Sequence, residues 1–119
     1  MQGVKKGPFK LEAHPEVIKT LDEWESSHSI TEQRSIVGVI LAECSNLEKF
    51  EGPNRGYERV YIWISGVPVY LWKKEQYEMF YRYDAMEPAV ILLHVCIVNN
   101  QYAREKALKT VETRIDWRA

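Results

Sequence analysis

Residues 70–84, YLWKKEQYEMFYRYD, combine cationic side chains with closely spaced aromatic rings. RNA binding uses both, because cations attract the phosphate backbone and ring faces stack on unpaired bases. The side chains suited to this are three cations and two tyrosines: Lys73, Lys74, Arg82, Tyr81 and Tyr83. A second interpretation stays open, in which the lysines stand in water at a hairpin tip and the tyrosine rings pack against helices.

Strand geometry limits which of these residues can act together. Successive side chains of a strand point to opposite faces, so Lys73 and Lys74 cannot share a face. The following strand divides into two sets, Glu78, Phe80 and Arg82 on one face and Tyr77, Met79, Tyr81 and Tyr83 on the other. Arg82 can therefore stand near one of the two lysines but not near both.

Other candidate groups lie outside this stretch. His94 in ILLHVCIV is flanked by strand residues, and it is either a satisfied core group or, on an open face, a proton carrier. GPNRGYER carries Arg55 and Arg59, which either belong to a plain connecting turn or extend a basic rim toward RNA. Cys44 and Cys96 lie inside apolar runs and are expected to be buried thiols. No zinc-like Cys/His spacing and no glycine-rich phosphate loop occurs, so neither a metal nor a small-molecule cofactor is predicted.

Length and composition are those of a globular chain. The 119 residues are 45% hydrophobic and 28% charged, which suits one domain over residues 1–119 with a flexible start at residues 1–7. The formal net charge of −1 argues mildly against nucleic acid unless cations are clustered locally. No apolar run approaches the roughly 18–20 residues of a membrane span, and the start lacks a hydrophobic signal region. We therefore predict a cytoplasmic protein without a membrane partner.

Two helices are predicted in the first half of the chain, after a short strand in FKLEA. Pro15 suits the first turn of the first helix, which Ser26-Ser27-His28 ends. The second helix has the spacing of a capping box from Ser29 to Glu32. Both helices carry an apolar stripe that is expected in the core: Val17, Ile18, Leu21 and Trp24 in the first, and Ile36, Val37, Ile40, Leu41, Cys44, Leu47 and Phe50 in the second.

The sequence of the second half of the chain predicts a sheet followed by a helix. Three β-branched and aromatic runs, RVYIWIS, VPVYLWKK and YEMFYRYD, are divided by Ser65-Gly66 and Glu75-Gln76, as in an antiparallel meander. AVILLHVCIV is apolar on both faces, which is typical of a central strand. The segment YAREKALKTVETRIDW closes the chain as a helix with five inward residues: Ala103, Ala107, Leu108, Val111 and Ile115. The predicted fold is α+β, with the helices against one antiparallel sheet and one sheet face left for function.

This order of elements resembles the RelE/ParE family of bacterial toxins, in which a strand and a helical hairpin precede a curled sheet. HPEVIKTLDEW is similar to the first helix of that family, EQRSIVGVILAECSNLEKFEG to the second, and YEMFYRYD with AVILLHVCIVNNQY to the last two strands. The resemblance implies a toxin of a type II toxin–antitoxin pair with a cognate antitoxin as partner. It further implies inhibition of translation by cleavage of mRNA on the ribosome.

The resemblance also implies roles for particular residues. Lys73 and Lys74 lie on a strand where these nucleases keep basic residues, and Arg82 lies where they keep an arginine. Tyr102 follows the last strand, where related toxins place a tyrosine or a histidine. Such groups, with His94 as a further proton carrier, would activate a 2′-hydroxyl, stabilise the phosphate charge and protonate the leaving oxygen. Arg55, Arg59, Tyr81 and Tyr83 would bind the RNA.

Three departures from the family pattern keep other functions open. Tyr77-Glu78 stands where the family often has Tyr-Arg, and a carboxylate there repels phosphate. Asn99-Asn100 replaces a common basic pair, and the whole chain is mildly acidic. The alternatives are a non-enzymatic protein-binding module on the same fold, such as a toxin homologue directed at a protein, and an unrelated α+β interaction protein.

Overall fold

The computed structural model describes residues 10–27, 31–49, 59–84, 86 and 88–118. Within these residues, eight elements follow one another in the order that the sequence predicts. They are β1 (Lys10–Ala13), α1 (Pro15–Glu25), α2 (Thr31–Lys49), β2 (Ile62–Ile64), β3 (Val67–Lys74), β4 (Tyr77–Asp84), β5 (Ala89–Ile97) and α3 (Gln101–Thr113). The α+β class is confirmed. The flexible start predicted for residues 1–7 and the position of Arg55 lie outside the described residues.

Helix α1 begins and ends where the local signals predict. The Nδ1 atom of His14 accepts a hydrogen bond from the Glu16 amide at 3.1 Å, and Pro15 occupies the first helical position. Ser26 caps the other end through backbone hydrogen bonds to the last turn. Val17 and Trp24 are buried as predicted.

The apolar stripe of α2 is mostly core, with one exception. Five of its residues are buried: Ile36, Val37, Ile40, Cys44 and Leu47. Leu41 is 52% exposed, and Ile18 on α1 is 51% exposed, so the prediction that these two lie in the core is wrong. Both side chains line a groove between α1 and α2, where neither helix buries them. Ser29 of the predicted capping box and Phe50 lie outside the described residues.

Two tight turns join the hairpin strands where the polar pairs occur. Ser65 and Gly66 connect β2 to β3 with φ angles of 51° and 79°, which is the left-handed pair that a two-residue hairpin needs. Glu75 connects β3 to β4 with φ of 55°. The predicted hairpin boundaries are therefore confirmed.

A five-stranded sheet in the order β1-β5-β4-β3-β2 forms the middle of the molecule. Three of its four pairings are antiparallel, and β1 runs parallel to β5, so the sheet is mixed. Ala89 to Leu93 on β5 are all buried, in agreement with the prediction of a central strand. A bulge lies on this strand, because Phe80 pairs with His94 and Tyr81 pairs with Leu92. Leu93 therefore has no partner on β4.

Both faces of the sheet carry helices. One face packs with α1 and α2 around Tyr77, Met79 and Tyr81. On the opposite face, Ala107 and Val111 of α3 pack with Phe80 and its neighbours. The expectation of one uncovered face is thus wrong over the part that α3 covers. The alternation predicted for β4 is right, and it assigns Glu78 and Arg82 to the α3 side.

Candidate functional site

A cluster of charged groups lies where β3, β4 and α3 meet. Lys73 is paired across the hairpin with Glu78, and its Nζ lies 4.0 Å from Glu78 Oε2. Arg104 on α3 donates from Nη2 to the same oxygen, and its Nη1 donates to the Tyr61 hydroxyl at 2.6 Å. The guanidinium also lies 5.6 Å from the centre of the Tyr61 ring. We call Tyr61, Lys73, Glu78 and Arg104 the Glu78 cluster.

Burial strengthens the interactions between the charged groups of this cluster. The Glu78 side chain is 0% exposed, that of Arg104 is 22% exposed and that of Lys73 is 57% exposed. A buried carboxylate needs a close cation, and Arg104 supplies it. Burial lowers the pKa of Arg104, but the Glu78 carboxylate and the Tyr61 hydroxyl raise it by more, so the pKa lies above its ordinary value. With two cations and one carboxylate, the cluster keeps one positive charge and can attract an anion.

Cys96 stands opposite Glu78 in the sheet register. Burial, followed by the Glu78 charge, raises the pKa of the Cys96 thiol to about 12. The thiol is therefore protonated at neutral pH and has little nucleophilic character. Cys96 contributes packing to the cluster rather than a reactive group.

Lys74 lies on the other face from Lys73, as the alternation predicts. It is paired with Tyr77, whose ring is 2% exposed and packs against Trp24 with ring centres 5.4 Å apart. Lys74 itself is exposed on the side of the sheet that carries α1 and α2. The two adjacent lysines therefore do not act at one place.

Arg82 shares the α3 face with Glu78, but it lies four residues further along β4, about 13 Å away. Its Nη2 donates to the Trp117 carbonyl at 3.1 Å. The residue after Trp117 is Arg118, which donates two hydrogen bonds of 2.9 Å to Glu12 and a further one to Asp84. Burial lowers the pKa of Arg82, despite the Asp84 carboxylate nearby. Arg82 is thus held by a hydrogen bond to the segment that follows α3 and is not brought to Lys73, contrary to the predicted site.

His94 lies on the α3 side of β5, partly buried. Arg114 donates from Nη1 to the carbonyl of Leu93, the residue at the bulge, at 3.0 Å. The same Nη1 lies 3.4 Å from His94 Nδ1. Burial and then the Arg114 charge lower the pKa of His94 to about 4. His94 is therefore neutral at pH 7, and the structure supports the core interpretation instead of the proton carrier.

The tyrosines predicted to bind RNA lie on the face of the sheet that packs against α1 and α2. Tyr81 is 2% exposed and stacks on Tyr70 with ring centres 5.7 Å apart. Tyr83 is partly buried and packs edge-on against both rings. No ring face of Tyr81 is free to stack on a base, so its predicted role is not supported. Arg59 is exposed just before β2.

Different aromatic rings are exposed. Tyr102, predicted from its position after the last strand, is 75% exposed in the first turn of α3, two residues before Arg104. Trp63 on β2 is 64% exposed. Sequence reasoning missed Tyr61 and Arg104. Arg104 precedes Ala107 and Leu108 by three and four residues, so it falls on the inward stripe of α3, and a cation there signals a buried acid.

The fold is shared with solved toxin structures. One chain of the RelBE2 toxin–antitoxin complex of Mycobacterium tuberculosis superposes with a TM-score of 0.56 at 14% identity, covering 81% of this chain and 98% of that one. The isolated E. coli RelE toxin gives a TM-score of 0.54 at 14% identity, covering 87% of this chain and 98% of that one. This chain has the fold of the RelE toxins.

A further RelE structure also superposes on this chain, whereas the sequence comparisons find no match. A free-state E. coli RelE with two arginines changed to alanine gives a TM-score of 0.53 at 15% identity, covering 86% of this chain and 96% of that one. No protein-family model and no curated protein sequence matches the chain. The RelE likeness is therefore one of fold.

Within the described ranges, none of the helices is long and apolar enough to cross a membrane. The same residues include no group of three His, Cys, Asp or Glu side chains placed to hold a metal ion.

Proposed function

We propose that this chain is the toxin of a type II toxin–antitoxin pair, and that it inhibits translation by cleaving mRNA bound to the ribosome. The cognate antitoxin, mRNA and the ribosome are its partners, and the cytoplasm is its site of action. The RelE fold supports the first part of this proposal. The Glu78 cluster supports the second, because Lys73 and Arg104 converge on Glu78 where β3, β4 and α3 meet, and the Lys73 side chain is 57% exposed there.

The cluster suggests a division of roles. Lys73, 57% exposed, binds the phosphate and stabilises the charge that develops on it during cleavage. Arg104 adds positive charge in a position fixed by Glu78 and Tyr61. Tyr102, exposed at the start of α3, offers a phenol for proton transfer or a ring for stacking on a base. Lys74, Arg82 and His94 lie elsewhere and have no part in this proposal.

The test uses the two adjacent lysines as a matched pair. The chain is induced in bacteria, growth is followed, and the 5′ ends of mRNA are mapped. We expect growth arrest with new RNA ends inside coding regions. Lys73→Ala should lower the frequency of these ends at least about tenfold. Lys74→Ala removes the same charge on the other face and should lower it less than about twofold. Equal effects of the two changes would contradict the role of the Glu78 cluster.

A second function is favoured by one observation. Glu78 already neutralises one of the two cations of the cluster, and the formal net charge of the chain is −1. A protein target demands less positive charge than an RNA, so the same fold would then bind a protein without cleaving RNA. Growth arrest without new mRNA ends would support this second function over the first.

A further inference from the structure

A cavity lies between α3 and β5, on the side of the sheet that carries the Glu78 cluster. Its volume is about 390 Å³. Strand β1 pairs with β5 only over Ala89–Leu92, so the lining residues His94 and Ile97 belong to the half of β5 that β1 does not flank. On α3, Ala103 and Ala107 line the cavity, and their small side chains leave the space open. The volume lies within the range of sites that hold small molecules in proteins.

The histidine of this cavity is a hydrogen-bond donor. His94 Nδ1 faces Arg114 Nη1 at 3.4 Å, and because an arginine only donates, Nδ1 is the acceptor. Burial and then the Arg114 charge lower the pKa of His94 to about 4, so the ring is neutral and carries its proton on Nε2. Within the described part of the chain, no residue accepts a hydrogen bond from Nε2. The wall at His94 therefore offers a ligand one N–H donor.

The charges at the cavity favour an anion. None of its nine lining residues is acidic, and Lys106 contributes an ammonium group. Lys106 is exposed and forms no ion pair with another described residue. Cys96, which also lines the cavity, stands opposite Glu78, whose cluster keeps one positive charge. A negatively charged group of a ligand is therefore attracted to the Lys106 side of the cavity.

An aromatic ring stands beside this ammonium group. Tyr102 precedes Lys106 by four residues on α3, so the two side chains are neighbours on one helix face. Both line the cavity, and Tyr102 is 75% exposed, so its ring can stack on a flat ligand. A ligand that suits the cavity thus combines an anionic group, a flat ring and a hydrogen-bond acceptor on that ring.

We propose that this cavity binds a free mononucleotide, with its phosphate at Lys106, its base against Tyr102 and the alanines of α3, and a ring acceptor of the base at His94 Nε2. A nucleoside monophosphate has all three features, since every base carries acceptor atoms on its edge. A free nucleotide fits better than an RNA chain, because RNA binding uses several cations along the backbone and the lining supplies one. The proposal does not rest on the toxin assignment.

The probe is adenosine 5′-monophosphate, and its binding to the purified full-length chain is measured by isothermal titration calorimetry. It should bind at least about tenfold more tightly than adenosine, which lacks the phosphate, and than ribose 5-phosphate, which lacks the base. A single-stranded RNA of about six nucleotides without terminal phosphates should bind at least about tenfold more weakly than the nucleotide. No binding of the nucleotide, equal binding of ribose 5-phosphate, or tighter binding of the RNA would overturn the proposal.

Matched variants locate the nucleotide in the cavity. Lys106→Met removes the ammonium group and Ala103→Leu fills the space, and each should weaken binding at least about fivefold. Lys109→Met and Ala42→Leu make the same changes at exposed helix positions outside the cavity and should alter affinity less than about twofold. Circular dichroism checks that all four variants fold. Equal losses at the cavity and control positions would overturn the proposal.

Two replacements of His94 differ in whether they keep a donor. His94→Leu removes the Nε2–H group and should weaken binding at least about fivefold, whereas His94→Gln places an amide N–H near the same position and should weaken it less than about twofold. Equal losses in two folded variants would overturn the placement of the base at His94. Because the readout is nucleotide binding, its outcome is separable from that of the growth test. Growth arrest by a chain that binds no nucleotide would remove the cavity proposal alone.

Discussion

Replacing Arg104 by methionine tests whether the buried Glu78 carboxylate depends on the charge of Arg104. The change keeps a long side chain but removes the charge, and it leaves the Glu78 carboxylate, 0% exposed, without its hydrogen-bonded partner. Leaving a buried charge uncompensated costs about 3–5 kcal/mol. Lys73 remains 4.0 Å away but is mostly exposed, so its attraction is weakened by solvent and recovers only part of this cost. We therefore expect Arg104→Met to lower the free energy of unfolding by about 3 kcal/mol.

The assay is urea unfolding followed by tryptophan fluorescence. The midpoint should fall while the m-value stays constant, since the surface exposed on unfolding hardly changes. For a chain of this size the corresponding decrease in Tm is roughly 10 °C. Adding Glu78→Gln to the variant removes the buried charge and should recover at least about half of the lost stability.

Lys109→Met is the matched control on the same helix. Its ammonium is exposed, so the change should alter stability by less than about 0.5 kcal/mol. The reasoning is refuted if Arg104→Met costs no more than this control, or if Glu78→Gln gives no recovery.

Three further predictions concern stability. The pKa of His94 is lowered from 6.5 to about 4, so the unfolded chain binds a proton in this pH range that the folded chain does not. The free energy of unfolding should therefore be unaffected by this group above pH 6.5 and should fall by about 3 kcal/mol as the pH decreases toward 4. His94→Gln should remove this pH dependence when urea unfolding is measured across the range. Gly66→Ala, at φ of 79°, should destabilise by about 1 kcal/mol, whereas Gly38→Ala, in helix α2 with open space around it, should stabilise by up to about 1 kcal/mol. Ile40→Ala, at a 0% exposed position, should lower the free energy of unfolding by about 3 kcal/mol, and Leu41→Ala by less than about 1 kcal/mol, as measured by thermal unfolding. Similar losses at the two positions would contradict the assignment of Leu41 to the surface.

Local features of the fold were predictable because they depend on neighbouring residues. The start of α1 follows from His14-Pro15, and the hairpin turns follow from polar pairs flanked by β-branched and aromatic runs. The alternation along β4 correctly separated Glu78 from Tyr77. These signals act over a few residues, and the sequence displays them directly.

Contacts between distant segments were not predictable in the same way. The parallel pairing of β1 with β5 joins Lys10–Ala13 to Ala89–Leu92, and no local pattern specifies it. Arg82 was assigned to the site because nothing in its neighbourhood shows that its guanidinium binds the Trp117 carbonyl, 35 residues away. Arg104 was missed because its partner is 26 residues away on another element. The site depends on tertiary packing, which periodicity does not encode.

The pairing of β1 with β5 also affects how the protein is made. During synthesis, β1 emerges from the ribosome long before Ala89–Leu92, and its place in the sheet does not yet exist. Helices α1 and α2 emerge before β4 and β5, which carry much of the surface that covers Val17, Trp24 and Ile40. Such long-range pairing forms slowly, because the intervening chain must be ordered first. Assembly therefore follows the synthesis of β5, and until then the apolar faces of both helices are available to chaperones or to a binding partner.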